Sequence, residues 1–436
     1  MQLKKTILFS IGPIFSALIA LITVPLIAYF FSAQDVGRLS ILQAIISFSL
    51  MIGTLGLDQS YVREFHESED KIRLFKSAVF PGLSVLIIVI FFLFLLPISI
   101  SEILFDLKSE LILLLLILCI FLSFFSRFLS LVVRMEERAL AFSLNQIFTK
   151  LFFLIFIFSA IYLLETPMFF SIVTAQVFSL LLVFVFNLWL TRKTWLYIFK
   201  TYIKKSELIE MLKFSIPLIG SSLAFWGITT MDRFFLKALS GFEELGIYSV
   251  AINFAGAALI LQLIFSTIWV PTVYRWASSK IDESRIQKIV NYISFAIITI
   301  WAFIGMFSWI LNYILPDLYS KVPIILIASV AYPLLYALSD ACGIGVGIMR
   351  KTKYVLLGSL FALLINAVGN MILIPKLGSG GAALASALAF LCFFLVRTEY
   401  SARVWKRLSL GKTYVFVFLL IFLCFLVNLK ELSIKE

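Results

Sequence analysis

Histidine is almost missing from this chain, with His66 the only one. Cysteine is scarce as well: Cys119, Cys342, Cys392 and Cys424 are far apart and form no CxxC pair. Zinc and haem sites need clustered His or Cys ligands, so the sequence offers no ligand set for either. The four thiols fall inside apolar stretches and read as small buried hydrophobes, while His66 reads as a solvated side chain in a charged loop. Charge is thin, with Asp, Glu, Lys and Arg making up 14% of residues, against about 25% in soluble domains. No polar stretch is long enough to form a soluble domain, and no low-complexity linker separates one.

Apolar mass fills the space instead. The chain is 62% hydrophobic over 436 residues, and its mean hydropathy is +1.08. A helix crosses a bilayer core with roughly 20 residues at about 1.5 Å each. Thirteen stretches reach or approach that length, at 7–31, 39–61, 78–97, 111–133, 142–164, 169–191, 214–238, 245–270, 291–314, 323–348, 354–376, 380–400 and 413–429. The first follows Met1-Gln-Leu-Lys-Lys and has no small-x-small cleavage site, so it is expected to be a retained span.

The net charge of +12 would suggest nucleic acid in a soluble protein. Here the basic residues flank spans, where they set orientation and meet anionic headgroups, and no nucleic-acid partner is expected. The N-terminus and every second gap together hold about 25 Lys and Arg, and the opposite set about six, which puts the N-terminus in the cytoplasm. The opposite loops are tiny: Ser32–Arg38, Ile98–Glu110, Glu165–Pro167, Leu239–Glu244 and Pro316–Val322. None can hold an external catalytic domain. The longest cytoplasmic loop, 191–213, mixes Lys200, Lys204, Lys205, Glu207 and Glu210 with Tyr197, Phe199, Leu208 and Leu212, and reads as an amphipathic interfacial helix.

The stretches on either side of that loop look alike. Asp35-Val-Gly-Arg-Leu-Ser40 opens the second span and Glu244-Leu-Gly-Ile-Tyr-Ser249 opens the eighth. Span four ends in Arg134-Met-Glu-Glu-Arg138 and span ten in Arg350-Lys-Thr-Lys353. Two halves that start on the same side are parallel repeats, an arrangement suited to alternating access. The expected fold is therefore an all-α polytopic membrane protein. About 12 core helices form two parallel six-helix bundles around a central cavity (1–191 and 214–400), joined by the linker 192–213. Residues 401–436 add a cytoplasmic loop and a thirteenth stretch, either a true span or an interfacial segment.

Charges inside a span are costly and normally face a bundle interior or an aqueous cavity. Asp58, Arg127, Lys150 and Asp340 all lie about 5–12 Å inside the cytoplasmic boundary by helical rise. Arg127, Arg134 and Arg138 share one helical face through spacings of seven and four. Arg127 and Lys150 are read as cavity groups suited to phosphate or acidic sugar, whereas Arg134 and Arg138 are read as membrane anchors. Asp232 and Arg233 lie deeper in span seven, as a local pair or as part of a site. Asn253, Gln262, Asn366 and Asn370 are read first as interhelical glue. Pro25, Pro217, Pro271 and Pro333 are expected to kink their helices.

Three sets of stretches carry a family resemblance. They are Phe31–Ser40 with Gly53–Arg63; Phe214–Gly220 with Met231-Asp-Arg-Phe-Phe-Leu236 and Gly246–Ser249; and Asn366–Pro375 with Gly378–Ala383. Together they resemble the Wzx-type oligosaccharide flippases of the multidrug/oligosaccharidyl-lipid/polysaccharide exporter superfamily, over about residues 1–400. The resemblance implies a bacterial inner-membrane flippase, not an enzyme. Its cargo would be an undecaprenyl-pyrophosphate-linked glycan moved to the outer leaflet for O-antigen (lipopolysaccharide) or capsule assembly. Membrane lipids, a glycan polymerase and a chain-length regulator are the implied partners. The candidate cargo-binding residues are Arg127, Lys150, Arg233, Asp58, Asp232, Asp340 and Arg63, of which Asp232–Arg233 and Asp58–Arg63 lie in the matching stretches. No cofactor is expected beyond a coupling proton or sodium ion on the aspartates. The alternatives are a multidrug or cation antiporter of the same fold and, further off, a membrane glycan polymerase.

Overall fold

A computed structural model describes residues 2–95, 99–165, 168–278, 283–351 and 353–432. Parts of the expected turns, at 98, 166–167, 279–282 and 352, and the tail 433–436 lie outside the described residues. Among the described residues the regular elements are all helical. In chain order they are α1 (Gln2–Phe30), α2 (Ala33–Gly53), α3 (Leu57–Glu64), α4 (Lys71–Leu95), α5 (Ile100–Phe105), α6 (Glu110–Met135), α7 (Ala139–Leu163), α8 (Phe169–Leu190), α9 (Arg192–Trp195) and α10 (Lys205–Ala255). There follow α11 (Ala257–Ser278), α12 (Glu283–Phe307), α13 (Leu311–Ile314), α14 (Val322–Ser329), α15 (Ala331–Cys342), α16 (Ile344–Ile348), α17 (Lys353–Leu377), α18 (Ser379–Val404) and α19 (Gly411–Leu432). Twelve stretches are long and apolar enough to cross a membrane, and one of them, Lys205–Trp276, contains both the seventh and the eighth expected spans.

Several expected boundaries move. The second span starts at Ala33 and breaks over Thr54–Gly56, where Leu55 (φ 50°) and Gly56 (φ 66°) are left-handed, before α3 resumes. Within α10 the chain turns at Gly241 (φ 82°), which separates spans seven and eight. Span ten is three pieces, α14 to α16. The linker is not one amphipathic helix. It is the single turn α9, a 3-10 turn at Ile198–Lys200 and an extended step, after which 205–213 is already the start of α10. Two tertiary anchors hold it in that form: Lys76 Nζ donates to Thr201 O at 2.6 Å, and Arg73 Nε donates to Glu207 at 3.1 Å.

The chain forms two compact units, 1–23 with 38–223 and 24–37 with 224–436. They depart from the sequence halves by assigning 24–37 to the second unit, which also takes in α19. In the first unit α6, α7 and α8 pack on one another, and Cys119 and Leu122 of α6 meet Val177 and Leu180 of α8 in a buried apolar cluster. Ser179 donates to Thr149 O at 2.8 Å, and the Asn145 amide donates to Asn187. Ser143 donates to Leu8 O at 2.5 Å where α1 crosses α7. Gly12 permits that crossing, because a Cβ there would lie 2.9 Å from Ser143 Cα.

In the second unit α18 is the central helix. Its run from Ser379 to Ala387 is buried and built largely of Gly, Ala and Ser, the small residues that let membrane helices approach closely. The two copies of the acidic-x-Gly motif meet here: a Cβ on Gly37 would overlap the Phe242 carbonyl, and one on Gly246 would overlap the Ala33 carbonyl. The repeat also recurs in the turns after spans four and ten. Glu137 (φ 57°) and Arg350 (φ 52°) are left-handed, and Arg138 N–H reaches Val133 O at 3.1 Å as Lys351 N–H reaches Val346 O at 2.9 Å. Both are the same helix-ending motif.

The thirteenth stretch is a packed helix. Thr413, Val417, Ile421, Cys424 and Asn428 form one buried stripe on α19, spaced three or four apart. Tyr414 near its start bonds Glu399 near the end of α18, and Asn428 near its end lies against Gly380 near the start of α18. α19 therefore runs antiparallel to α18 along its full length, with Phe416, Leu419 and Phe422 exposed on the other side.

Candidate functional site: charge clusters within the spans

In the first unit the break at Gly56 places Asp58 in the first turn of α3, beside α6. Arg127 on α6 donates to Asp58 Oδ2 from Nη2 at 2.7 Å and from Nε at 3.2 Å. Both contacts use one carboxylate oxygen, and the arginine side chain stays 50% exposed, so donors remain available to a second anion. Lys150 on α7 lies on the same stripe as Ser143 and Ile157, seven residues to either side. Those two are buried while Lys150 is exposed, so the lysine opens on the side of α7 that carries these packed residues. Among the described residues it makes no hydrogen bond or ion pair.

The other cations of the first unit have local roles. Arg63 stacks on Phe214 at 4.4 Å and Arg134 lies over Phe142 at 5.9 Å. Arg138 donates to Leu190 O at 2.8 Å. The stripe of three arginines thus divides: Arg127 serves a buried carboxylate, and the other two make local contacts at helix ends.

In the second unit Asp340 on α15 pairs with Arg397 on α18 at 2.7 Å. It also accepts from Ser266 at 2.6 Å and Gln262 at 3.3 Å, both on α11. Asp232 on α10 is 2% exposed, and neutral donors hold it: Tyr248 at 2.5 Å, Asn370 Nδ2 at 2.7 Å, and the Ser386 hydroxyl. Asn366 adds an oxygen that accepts from Asn370 at 3.1 Å, and Asn370 Oδ1 is buried without a partner. The cluster therefore gathers a carboxylate, two amide oxygens and two hydroxyls from α10, α17 and α18. Arg233, next in sequence, is half-buried.

The sequence expectation that four charges lie at similar depth on four helices resolves into one paired couple, Asp58 with Arg127, one open lysine, and Asp340 in a cluster of its own. Asn366, Asn370 and Gln262, read first as helix glue, are the residues that bond the buried aspartates. Arg397, Ser266, Tyr248 and Ser386 were not picked out from sequence. For Arg397 a signal was present, an arginine within the apolar stretch 380–400. The hydroxyls carry none, since Ser and Tyr are ordinary in spans.

The polysaccharide biosynthesis protein family matches residues 2–277. No curated protein sequence matches the chain. Among solved structures, the lipid II flippase MurJ in an inward closed conformation superposes with a TM-score of 0.68 at 16% identity, over 97% of this chain and 93% of that one. An inward-facing multidrug resistance MATE family transporter of the MOP superfamily gives 0.65 at 15% identity, over 92% and 99%. An outward-facing one gives 0.56 at 16% identity, over 90% and 94%. The chain shares the fold of these proteins, and by the extent of the family match it belongs to the polysaccharide biosynthesis protein family.

Proposed function

We propose that this protein is a bacterial inner-membrane flippase, N-terminus in the cytoplasm, that moves a polyprenyl-pyrophosphate-linked oligosaccharide from the inner to the outer leaflet by alternating access. Its product would feed O-antigen or capsule assembly, where a glycan polymerase and a chain-length regulator would act on it. The observation that carries the reading is the cationic surplus of the first unit: Arg127 half open beside one carboxylate, and Lys150 open with no partner. A planar guanidinium on α6 and an ammonium on α7 are groups suited to a pyrophosphate or acidic sugar. No covalent step is involved; the glycan head crosses while the lipid tail stays in the bilayer.

Asp232 supplies the coupling in this reading. Its carboxylate and the surrounding amide and hydroxyl oxygens form an all-oxygen donor set, which suits sodium or a proton as co-transported cargo. Asp340 on α15 would respond to the same ion through its partner Arg397, since α18 carries both Arg397 and Ser386.

The test is a deletion strain. It should accumulate lipid-linked repeat units accessible only from the cytoplasmic face, and a plasmid copy should clear them. Units that still reach the outer face in the deletion strain would overturn the reading. The MATE fold makes drug export the second reading. Cationic drugs call for an anionic or aromatic site, so the same strain should keep wild-type resistance to cationic dyes.

A further inference from the structure

The inner-side corner of the second unit holds a cavity of about 450 Å³, well removed in sequence from Asp232 and outside the Asp340 cluster. It lies where α18 ends and α19 begins, and its walls include Thr398, Glu399, Lys406, Arg407, Leu410 and Tyr414. Three features of these walls favour an anion.

The first is the start of α19. Tyr414 N–H bonds Leu410 O at 2.9 Å, and it is the first N–H of the helix to find a backbone acceptor. The N–H groups of Gly411, Lys412 and Thr413 have none, as at any helix start. The residue in the capping position is Leu410, which has no side-chain oxygen to offer them. By contrast, Ser109 caps α6 by accepting from Ile112 N–H at 3.3 Å. The N-terminal end of α19 therefore keeps its partial positive charge.

The second is Thr398. A threonine inside a helix usually donates its hydroxyl to the carbonyl four residues back. Thr23, Thr149, Thr174, Thr191 and Thr267 all do so in this chain. Thr398, only 3% exposed and on the cavity wall, makes no side-chain hydrogen bond among the described residues. A buried hydroxyl without a partner is destabilising, and a ligand oxygen would satisfy it.

The third is charge on a fixed loop. Lys406 and Arg407 bring two cationic side chains to the walls, beside the carboxylate of Glu399. That carboxylate already accepts from Tyr414 at 3.0 Å and faces Arg407 at 3.7 Å. Gln287 clamps the loop from α12, accepting from Ser409 N–H at 2.8 Å and donating to Ser409 O at 3.2 Å. Basic pockets between helices at the cytoplasmic face are suited to phospholipid head groups. The exposed apolar side of α19, with Val415, Phe416 and Leu419 at its inner end, offers a surface for acyl chains.

We propose that this corner binds the phosphate of an anionic ligand, supplied by an inner-leaflet phospholipid head group, and that the bound head group fastens α19 to the unit. The inference is independent of the transported cargo.

The test uses the full chain in neutral detergent with three probes: phosphatidylglycerol, phosphatidylcholine and inorganic phosphate. Bound lipid is read by native mass spectrometry and protection by thermal unfolding. Phosphatidylglycerol should bind and protect the wild-type protein where phosphatidylcholine does not. The double variant Lys406→Gln/Arg407→Gln should lose about tenfold or more in affinity for it, the effect of removing one or two charge-assisted contacts. Thr398→Val, nearly isosteric, should weaken binding while leaving lipid-free unfolding unchanged or improved, and it carries the test should the double variant misfold. Equal protection by inorganic phosphate would keep the phosphate site and make its source a free anion. Wild-type binding by both variants would overturn the proposal. So would an equal loss in Lys193→Gln/Lys200→Gln, since that would show only general attraction to a basic loop.

Discussion

Asp58 and Asp340 are equally buried, with side chains 10% exposed, but their arginine partners are not. Arg127 is 50% exposed and Arg397 is 14% exposed. In the first unit the carboxylate meets a cation that still has room for another anion, and an open lysine lies on the next helix. In the second unit the pair is closed over by Ser266 and Gln262, with Arg397 against the Phe393 ring at 5.9 Å. The same chemistry thus serves two ends. One unit keeps cationic groups accessible, and the other encloses its acidic groups in neutral donors. Under the proposed function, an open cation is the form that can meet a changing cargo, and an enclosed carboxylate the form that can hold an ion.

That comparison breaks most easily in the second unit. Removing Arg397 leaves Asp340 as a buried charge with only neutral donors, which costs about 3–5 kcal/mol for an enclosed pair. Arg397→Ala should therefore give the largest loss in thermal unfolding of the detergent-solubilised protein. The double variant Asp340→Asn/Arg397→Gln, which removes both charges together, should recover most of it. A single variant as stable as wild type would mean that the pair is not enclosed as described.

Asp232 comes next. Asp232→Ala would leave the donors of Tyr248, Asn370 and Ser386 without their acceptor in a buried site, at about 1–3 kcal/mol for each that finds no substitute. Asp232→Asn keeps the shape and some of the bonds, so its stability loss should be smaller. Its transport should lose the dependence on a sodium or proton gradient. Gradient-driven transport that is unchanged in Asp232→Asn would remove the ion role from this cluster.

In the first unit the expected stability effect is smaller, because exposure screens Arg127. Arg127→Ala should cost about 1 kcal/mol but reduce flipping strongly. The charge-swapped variant Asp58→Arg/Arg127→Asp sharpens the point, since it keeps an ion pair and moves the cation to α3. Stability near wild type with flipping still lost would show that the place of the cation matters; restored flipping would show that the pair is only structural.

How much of this was legible depends on whether the governing force is local. The apolar spans could be read directly, because bilayer thickness sets helix length. Breaks at Thr54–Gly56 and within span ten were hidden: a left-handed Leu55 leaves no mark in an apolar run. The linker misled because its pattern of basic and aromatic residues is amphipathic, yet Lys76 and Arg73, over a hundred residues away, hold it in turns. In the candidate site the costly groups, Asp58, Arg127, Lys150, Asp232 and Asp340, were visible because charge inside a span is rare. Their partners were not. Ser386 lies 154 residues from Asp232, and Arg397 lies 57 residues from Asp340, distances that only folding closes.

Lys150 gives the smallest expected change in stability and the most direct reading of function. It has no partner among the described residues, and its side chain is exposed, so Lys150→Ala should leave unfolding within about 0.5 kcal/mol of wild type. A lysine within an apolar span is rare, which argues that something other than stability retains it. If that something is an anionic head group, flipping in proteoliposomes should fall about tenfold, the equivalent of one charge-assisted contact. Lys150→Arg should retain most activity and Lys150→Glu should abolish it. Equal flipping by the Ala and Glu variants would show that the lysine never meets the cargo, and the cationic face of the first unit would then reduce to Arg127 alone.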